Sequence, residues 1–366
     1  MSEPLLLSDL SRGIFASLGL TITSPLLLPP SQGIEVLFLI DGLGAQALED
    51  YRDYAPTISA MRSLAPLRSE FPSTTATSLT SIGTGLHPAE HGMLGYTVRI
   101  PHSDNRLLNA LKWDSRVDPV IWQPHQTLFE QGAKAGINIF NISAERYAGS
   151  GFTEAALRGA TFLGANTIDL MVAQLRIATT KRPCFVYFYL NDVDAAGHDA
   201  GVGSEKWLEA LTLVDDCVAL VQEALPAGSR LTITSDHGMI TAEEKILIDG
   251  KLAQEITLIG GEPRARHLYV DEGRSESVAE RWRSALSAKA QVYTKAAALE
   301  AGIFGVNPTE QTKDRMGDLV VIAQEKVVFI EPARKHLEGE MVGHHGGDTD
   351  VERDIPLLGT FIDSRS

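Results

Sequence analysis

Cysteine is scarce in this 366-residue chain: there are two, Cys184 and Cys217. Each lies inside an apolar segment, where a cysteine acts as a small buried hydrophobe more often than as half of a disulfide. Long apolar runs are lacking too. None approaches the roughly 18 residues a membrane-spanning helix needs, so no membrane partner is expected. The opening stretch, "MSEPLLLSDLSRG", has no basic leader followed by a sustained apolar segment and a small-residue cleavage site. With so little cysteine, a cytoplasmic setting is the expectation. Positive charge is in deficit: 32 Lys and Arg against 47 Asp and Glu leave −15. No local basic patch offsets it, so a long nucleic acid would be repelled. An anionic small molecule would need positive charge from another source, and bound metal ions are one.

The length suits one large core or two modest ones, since single cores stop growing near roughly 250–300 residues. Apolar β-rich runs alternate with amphipathic helical stretches, which predicts an α/β fold: a mostly parallel central sheet with helices on both faces. The expected central strands are "IEVLFLI" (34–40), "INIFNI" (137–142), "CFVYFYL" (184–190) and "RLTIT" (230–234). Between the last two, Trp207, Leu211, Val214, Val218, Val221 and Leu225 recur at helical period behind a Ser204 cap. The interval 248–339 reads as a small inserted α/β cap, with "RHLYV", "SVAERWRSAL", "QVYT", "GDLVVIA" and "VVFI". The catalytic core is then 1–247 plus 340–366, with "IPLLGTFI" as the parent domain resuming.

Ligands of open α/β sheets bind at the carboxyl ends of the strands, so the residues just past each strand carry the functional signal. After the first strand comes Asp41-Gly42, after the third "NDVDAAGHDAG", and after the fourth "SDHGM"; further on, "GHHGGD" adds another histidine. Three carboxylates and three histidines on one edge resist ionising together unless a cation joins them. Mixed Asp/His ligation suits zinc first and manganese second. Two divalent ions balance three Asp and one alkoxide, which favours two ions over one and leaves a site that accepts an anionic phosphate. "DAAGH" puts Asp194 and His198 on one face if it is helical, although Gly197 would equally suit a tight loop.

The stretch "FPSTTATSLTSIGTGLHPAEHG", Phe71 to Gly92, crowds Ser and Thr without one Lys or Arg. One hydroxyl is a candidate nucleophile; Ser73, Thr77, Thr80, Ser81 and Thr84 read as caps, turn formers or packing. His87 and His91 read as structural. Asn109, Trp113, Tyr147 and Phe152, in loop-like stretches mixing amides, aromatics and arginine, are candidates for reading a nucleotide base or another leaving group. Asp215 either orients a metal-binding histidine or forms a local salt bridge.

Taken together, "LIDGLG", "FPSTTATSLTSIGTGLHPAEHG", "DVDAAGHDAG", "TSDHGM" and "HHGG" resemble, in order, the type I phosphodiesterase/nucleotide pyrophosphatase branch of the alkaline phosphatase superfamily. The resemblance implies an alkaline phosphatase-like core and Thr75 as nucleophile, with Thr74 its neighbouring competitor. It implies one zinc held by Asp41, Asp236, His237 and the Thr75 oxygen, and another by Asp194, His198 and His345, with His344 the alternative to His345. Asp192 is given at most a supporting role. Several relatives place an Asn three residues after the nucleophile to hold a phosphoryl oxygen; here that position is Ser78, and backbone N–H groups at the helix start could substitute.

The implied activity is hydrolysis of a small phosphoester, a nucleotide among the candidates, through a phospho-threonine intermediate. A phosphonate or phosphomonoester hydrolase on the same metal core, or a metal-binding relative without activity, are the alternatives. The absence of arginine between Thr75 and Gly92 tilts towards diesters, and the lack of a Cys/Ser-x-Pro-x-Arg signature in the nucleophile segment disfavours a sulfatase. None of these patterns fixes an oligomeric state.

Overall fold

Continuous runs of β-branched and aromatic residues suit strands covered on both faces. The computed structural model, which describes residues 4–363, has such strands at Ile34–Ile40, Asn138–Ser143, Cys184–Leu190 and Ser229–Thr234. Every residue of Ile34–Ile40 and Cys184–Leu190 is buried. The central sheet has seven strands, in the order Arg62–Ser63, Leu357–Phe361, Ser229–Thr234, Ile34–Ile40, Cys184–Leu190, Asn138–Ser143 and Thr161–Gly164. The last five are mutually parallel. Leu357–Phe361, from "IPLLGTFI", joins them antiparallel and makes the sheet mixed.

Alternation along the strands divides the core. Leu37, Leu39, Phe185, Tyr187 and Tyr189 pack with Leu10, Ile14, Leu79 and Ile82 from helices Leu7–Ser17 and Thr75–Thr84. On the other face Val36, Phe38, Val186 and Phe188 pack with Trp207, Leu211, Val214 and Val218 of helix Glu205–Ala224. Ser204 caps that helix, its Oγ accepting the Trp207 N–H at 3.2 Å.

A second sheet, antiparallel throughout, has the order Ile256–Glu262, Ala265–Val270, Leu319–Ala323 and Ala290–Thr294. Helix Ser275–Leu286 covers its outer face through Val278, Trp282 and Leu286, whereas Ala265, Val320 and Ile322 pack into the main core beside Met93, Leu94 and Val98. This sheet lies within 248–339. A parallel ladder, Glu244–Leu247 with Val327–Ile330, starts ahead of that interval and links it to the core.

Cys184 and Cys217 are free and buried. Among the described residues no helix is long and apolar enough to cross a membrane. What matters for the site is that Ser229–Thr234, Ile34–Ile40 and Cys184–Leu190 are neighbours in register, so their carboxyl ends lie side by side.

Candidate active site

Asp41 follows Ile40 directly, and its N–H bonds the Leu190 carbonyl at 2.9 Å, tying two strand ends together. Gly42 takes φ +79, and a Cβ there would lie 2.9 Å from the Asp194 Cα, so only glycine lets this turn pass so close to helix Asp192–Ala200. The helical alternative for "DAAGH" holds: His198 Nε2 is 3.4 Å from Asp194 Oδ1, one turn back. Asp236 and His237 follow the Ser229–Thr234 strand, and Asp236 Oδ1 accepts the N–H groups of Gly42 at 3.1 Å and His237 at 3.0 Å.

The hydroxyl-rich stretch forms helix Thr75–Thr84, opened by Thr74 in extended conformation and closed by Gly85 at φ +71. Most of its buried hydroxyls are spent on structure. Ser73 donates to the Gly347 carbonyl, Thr77 to Met93, Thr80 to Ala76 and Thr84 to Thr80. Ser81 meets His91 Nε2 at 3.0 Å. Thr75 differs: its Oγ1 lies 3.2 Å from His237 Nε2 and 3.5 Å from Asp41 Oδ1.

Among the described residues two groups have ligand atoms close enough to share an ion: Asp194, His198 and His345, and Asp41, Asp194 and His237. Asp194 belongs to both. His237 Nε2 is also 3.3 Å from Asp236 Oδ2 and 3.4 Å from Asp41 Oδ1. Each histidine turns Nδ1 to a carbonyl: His198 to Gly343 at 2.8 Å, His237 to Gly238 at 3.0 Å, His345 to Ser73 at 3.1 Å. Carbonyls only accept, so Nδ1 carries the proton and Nε2 of the neutral ring presents a lone pair to the site.

These residues fit a metal. Asp194 Oδ1 and Asp236 Oδ2 are buried without a hydrogen-bond partner, a costly state for a carboxylate unless a cation meets it. In the protein alone, burial and then Asp41 push Asp194 up to about 7. Burial raises Asp236 to about 7 as well, and burial together with Asp236 raises Asp41 well above the usual carboxylate range. Burial lowers His237 to about 4, and burial with the neighbouring His237 and His198 holds His345 well below the usual imidazole range, so both rings stay neutral, the form that ligates metals.

Of the sequence-predicted residues, Asp41, Thr75, Asp194, His198, Asp236, His237 and His345 come together at this edge. His344 lines the same larger cavity but belongs to neither group of candidate ligands; its Nε2 turns to the Met341 carbonyl at 3.2 Å. Asp192, at the start of its helix, is exposed. Ser78 is fully buried and donates to the Asp236 carbonyl at 2.8 Å, so its hydroxyl steadies the metal-side loop and does not reach a substrate. Among the described residues Asp215 neither orients a histidine nor forms a salt bridge; it accepts the Thr57 and Ile58 N–H groups at 3.1 and 2.8 Å, capping helix Pro56–Ser59.

Two cavities meet at Thr75, Asp194 and Leu111. One, about 510 Å³, is lined also by Asn109, Tyr96, Glu262, His198 and His345. The other, about 310 Å³, includes Tyr147, Phe152, Arg146, Tyr187 and Tyr189. Asn109, Tyr147 and Phe152 thus face open space. Trp113 lines neither cavity; its Nε1 donates to the Val117 carbonyl and its ring packs edge-on to Trp122.

Two residues at the site escaped the sequence reading. The Tyr189 hydroxyl donates to Asp41 Oδ2; only its place at the end of an apolar strand, with a polar tip, hinted at this. Glu262 arrives from the second sheet, with no local motif to flag it.

The family model described as Type I phosphodiesterase / nucleotide pyrophosphatase matches residues 36–348. Venom phosphodiesterase 2 of Crotalus adamanteus is 26% identical over 217 residues, covering 56% of this chain and 26% of that protein. Ectonucleotide pyrophosphatase/phosphodiesterase family member 1 of Homo sapiens is 27% identical over 228 residues, 56% of this chain and 23% of the relative. The chain spans about a quarter of the length of the curated relatives it matches. Among solved structures, an inactive threonine-to-alanine variant of murine ectonucleotide pyrophosphatase/phosphodiesterase 5 in complex with AMP superposes with a TM-score of 0.69 at 18% identity. That match covers 90% of this chain and 88% of the other. It shows a shared fold.

Proposed function

The chain belongs to the type I phosphodiesterase/nucleotide pyrophosphatase family, and from that premise we propose that it hydrolyses small phosphodiesters or phosphoanhydrides with Thr75 as nucleophile. The observation that carries the reading is the Thr75 hydroxyl, 3.2 Å from His237 Nε2 and 3.5 Å from Asp41 Oδ1, at the meeting point of two cavities. A phosphodiester carries two substituents, and the two cavities offer each its own space. A monoester would use one.

Asp41, Asp236 and His237, with the Thr75 oxygen, would hold one divalent ion, and Asp194, His198 and His345 the other, zinc first and manganese second. Bound there, the ions supply the positive charge that lets these groups ionise together and a threonine hydroxyl lose its proton near neutral pH. Thr75 Oγ1 attacks phosphorus in line, the ester oxygen opposite departs, and water hydrolyses the phospho-threonine to restore the hydroxyl. Thr75 opens its helix, so N–H groups of the first turn point towards the anionic phosphoryl group. Tyr147 and Phe152 offer aromatic surface for a base or similar substituent, in line with the AMP complex of the structural neighbour.

Metal-reconstituted protein assayed side by side on bis-p-nitrophenyl phosphate and p-nitrophenyl phosphate tests the reading. Faster turnover of the diester is expected. Preference for the monoester would move the assignment to a phosphomonoesterase, and no turnover of any phosphoester, with metal bound, would leave a binding protein.

A further inference from the structure

Asp41 divides its two oxygens between two tasks. Oδ1 serves the reacting side, 3.4 Å from His237 Nε2 and 3.5 Å from Thr75 Oγ1, while Oδ2 accepts the hydrogen bond of the Tyr189 hydroxyl. The strands dictate this pairing. Leu39 and Tyr189 are partners in the parallel register, and the Asp41 N–H is fixed to the Leu190 carbonyl at 2.9 Å, so the tyrosine just before Leu190 stands beside the carboxylate.

The ring that carries this hydroxyl is itself held. It stacks on Tyr187, centroids 6.1 Å apart at 15°, and meets Tyr147 edge-on at 5.8 Å and 69°. Arg146 pins Tyr147 in turn, donating to its hydroxyl at 2.8 Å and to Asn191 Oδ1 at 2.9 Å. Tyr189 is 8% exposed and Asp41 3%, so water has little access to compete for the bond. A phenol keeps its proton at neutral pH, and a carboxylate that shares a cation has none to give, so the tyrosine is the donor. Carboxylates meet cations through one oxygen or through both. Engaging Oδ2 elsewhere leaves Oδ1 as the oxygen for the ion.

We propose that Tyr189 is a positioning residue for the ion beside Thr75: its hydroxyl fixes the Asp41 carboxylate so that Oδ1 alone serves that ion. This rests on the metal-site reading above and adds to it a residue outside the ligand set.

The test is the zinc affinity of the full chain, measured by titrating metal-free protein in competition with a chromogenic chelator. Two backgrounds separate the ions: His198→Ala leaves the one beside Thr75, and His237→Ala leaves the one at Asp194 and His345. Hydrogen-bond partners of metal ligands are worth roughly 10–100-fold in affinity. Tyr189→Phe keeps the ring and loses the hydroxyl, so it should weaken zinc about tenfold or more in the His198→Ala background and less than about threefold in the His237→Ala background. In the otherwise wild-type chain, one ion of the two should weaken. Tyr187→Phe is the control: it deletes a hydroxyl of the same cluster that is buried without a hydrogen-bond partner among the described residues. It should change neither affinity by more than about threefold. Unchanged affinity on adding Tyr189→Phe to His198→Ala, equal weakening in both backgrounds, the same weakening from Tyr187→Phe, or no zinc bound by wild type would each overturn the proposal. Affinity is read without turnover. A protein that follows this pattern yet cleaves no phosphoester refutes the proposed activity and keeps Tyr189; one that turns over through Thr75 but holds zinc independently of the Tyr189 hydroxyl does the reverse.

Discussion

His198 Nε2 and His345 Nε2 lie 3.2 Å apart, although both rings spend their Nδ1 protons on carbonyls, those of Gly343 and Ser73. Two lone pairs at that separation repel unless a cation lies between them. A single proton would suffice for the pair alone. It would not suffice for the partnerless Asp194 Oδ1 and Asp236 Oδ2 in the same site.

Metal analysis of unchelated protein should therefore return about two divalent ions per chain. Chelation should abolish turnover and lower the melting temperature, since a ligand present at about 100 times its Kd adds about 2.7 kcal/mol to the folded state. Zinc should restore both. A stoichiometry of one or below, with full activity, would refute the two-ion arrangement.

Thr75→Ala should reduce kcat by on the order of a thousandfold or more, the scale seen when a nucleophile is removed, while leaving metal content unchanged. Thr74→Ala is the control. Thr74 makes no side-chain capping bond to its helix, so the helix should survive and the rate should fall by less than about tenfold. Labelled phosphate should be trapped on wild type and Thr74→Ala in acid-quenched samples and not on Thr75→Ala. Label on Thr75→Ala would move the nucleophile elsewhere.

The parts of this site legible in the sequence are those written contiguously. Asp41, Asp194, Asp236 and His237 each follow a recognisable apolar strand, and position after a strand is enough to place a residue on the ligand-binding edge. Periodicity reports burial but not partners. That is why Tyr189 read as core although its hydroxyl meets Asp41, and why Asp215, on a helix beside apolar residues, gave no hint that it caps Pro56–Ser59. Ser78 shows the same gap: its position suggested a phosphoryl contact, and only the three-dimensional path of the Asp236 backbone shows where its hydroxyl goes. The packing of the second sheet into the main core, through Ala265, Val320 and Ile322, depends on contacts between distant segments that no local pattern encodes.

Arg264 and Glu352 illustrate such a distant pair. Their side chains are fully buried and joined by two bonds, Nη2 to Oε2 at 2.7 Å and Nε to Oε1 at 2.9 Å. Glu352 also accepts the Gly347 N–H at 2.8 Å, so the same carboxylate anchors the loop that follows His345. Glu352→Ala should destabilise by about 3–5 kcal/mol, because it strands a buried guanidinium. Replacing both residues by apolar ones, Arg264→Met with Glu352→Leu, should cost much less. Equal losses in denaturant unfolding would mean that the backbone contacts of Glu352, and not the ion pair, carry the effect.

Glu70 gives the fold a pH dependence separate from the catalytic edge. Its Oε1 accepts the Ser8 N–H at 2.9 Å in the first turn of helix Leu7–Ser17, where the helix dipole favours an anion by roughly 1 kcal/mol. Burial works the other way and is stronger: Glu70 is 2% exposed, Oε2 has no partner, and the carboxyl rises from 4.5 to about 7. The unfolded chain ionises first as pH rises. Glu70 therefore contributes stability that is complete below about pH 4.5, declines up to about pH 7 and is then gone, on the order of 3 kcal/mol in all. Glu70→Gln keeps an acceptor for Ser8 and cannot ionise. Relative to wild type it should gain that amount in unfolding free energy between about pH 4 and pH 8, most of it between about pH 5 and pH 7. Taking the difference between the two proteins cancels every other titrating group, so a flat difference across this range would show that Glu70 is already ionised in the folded chain.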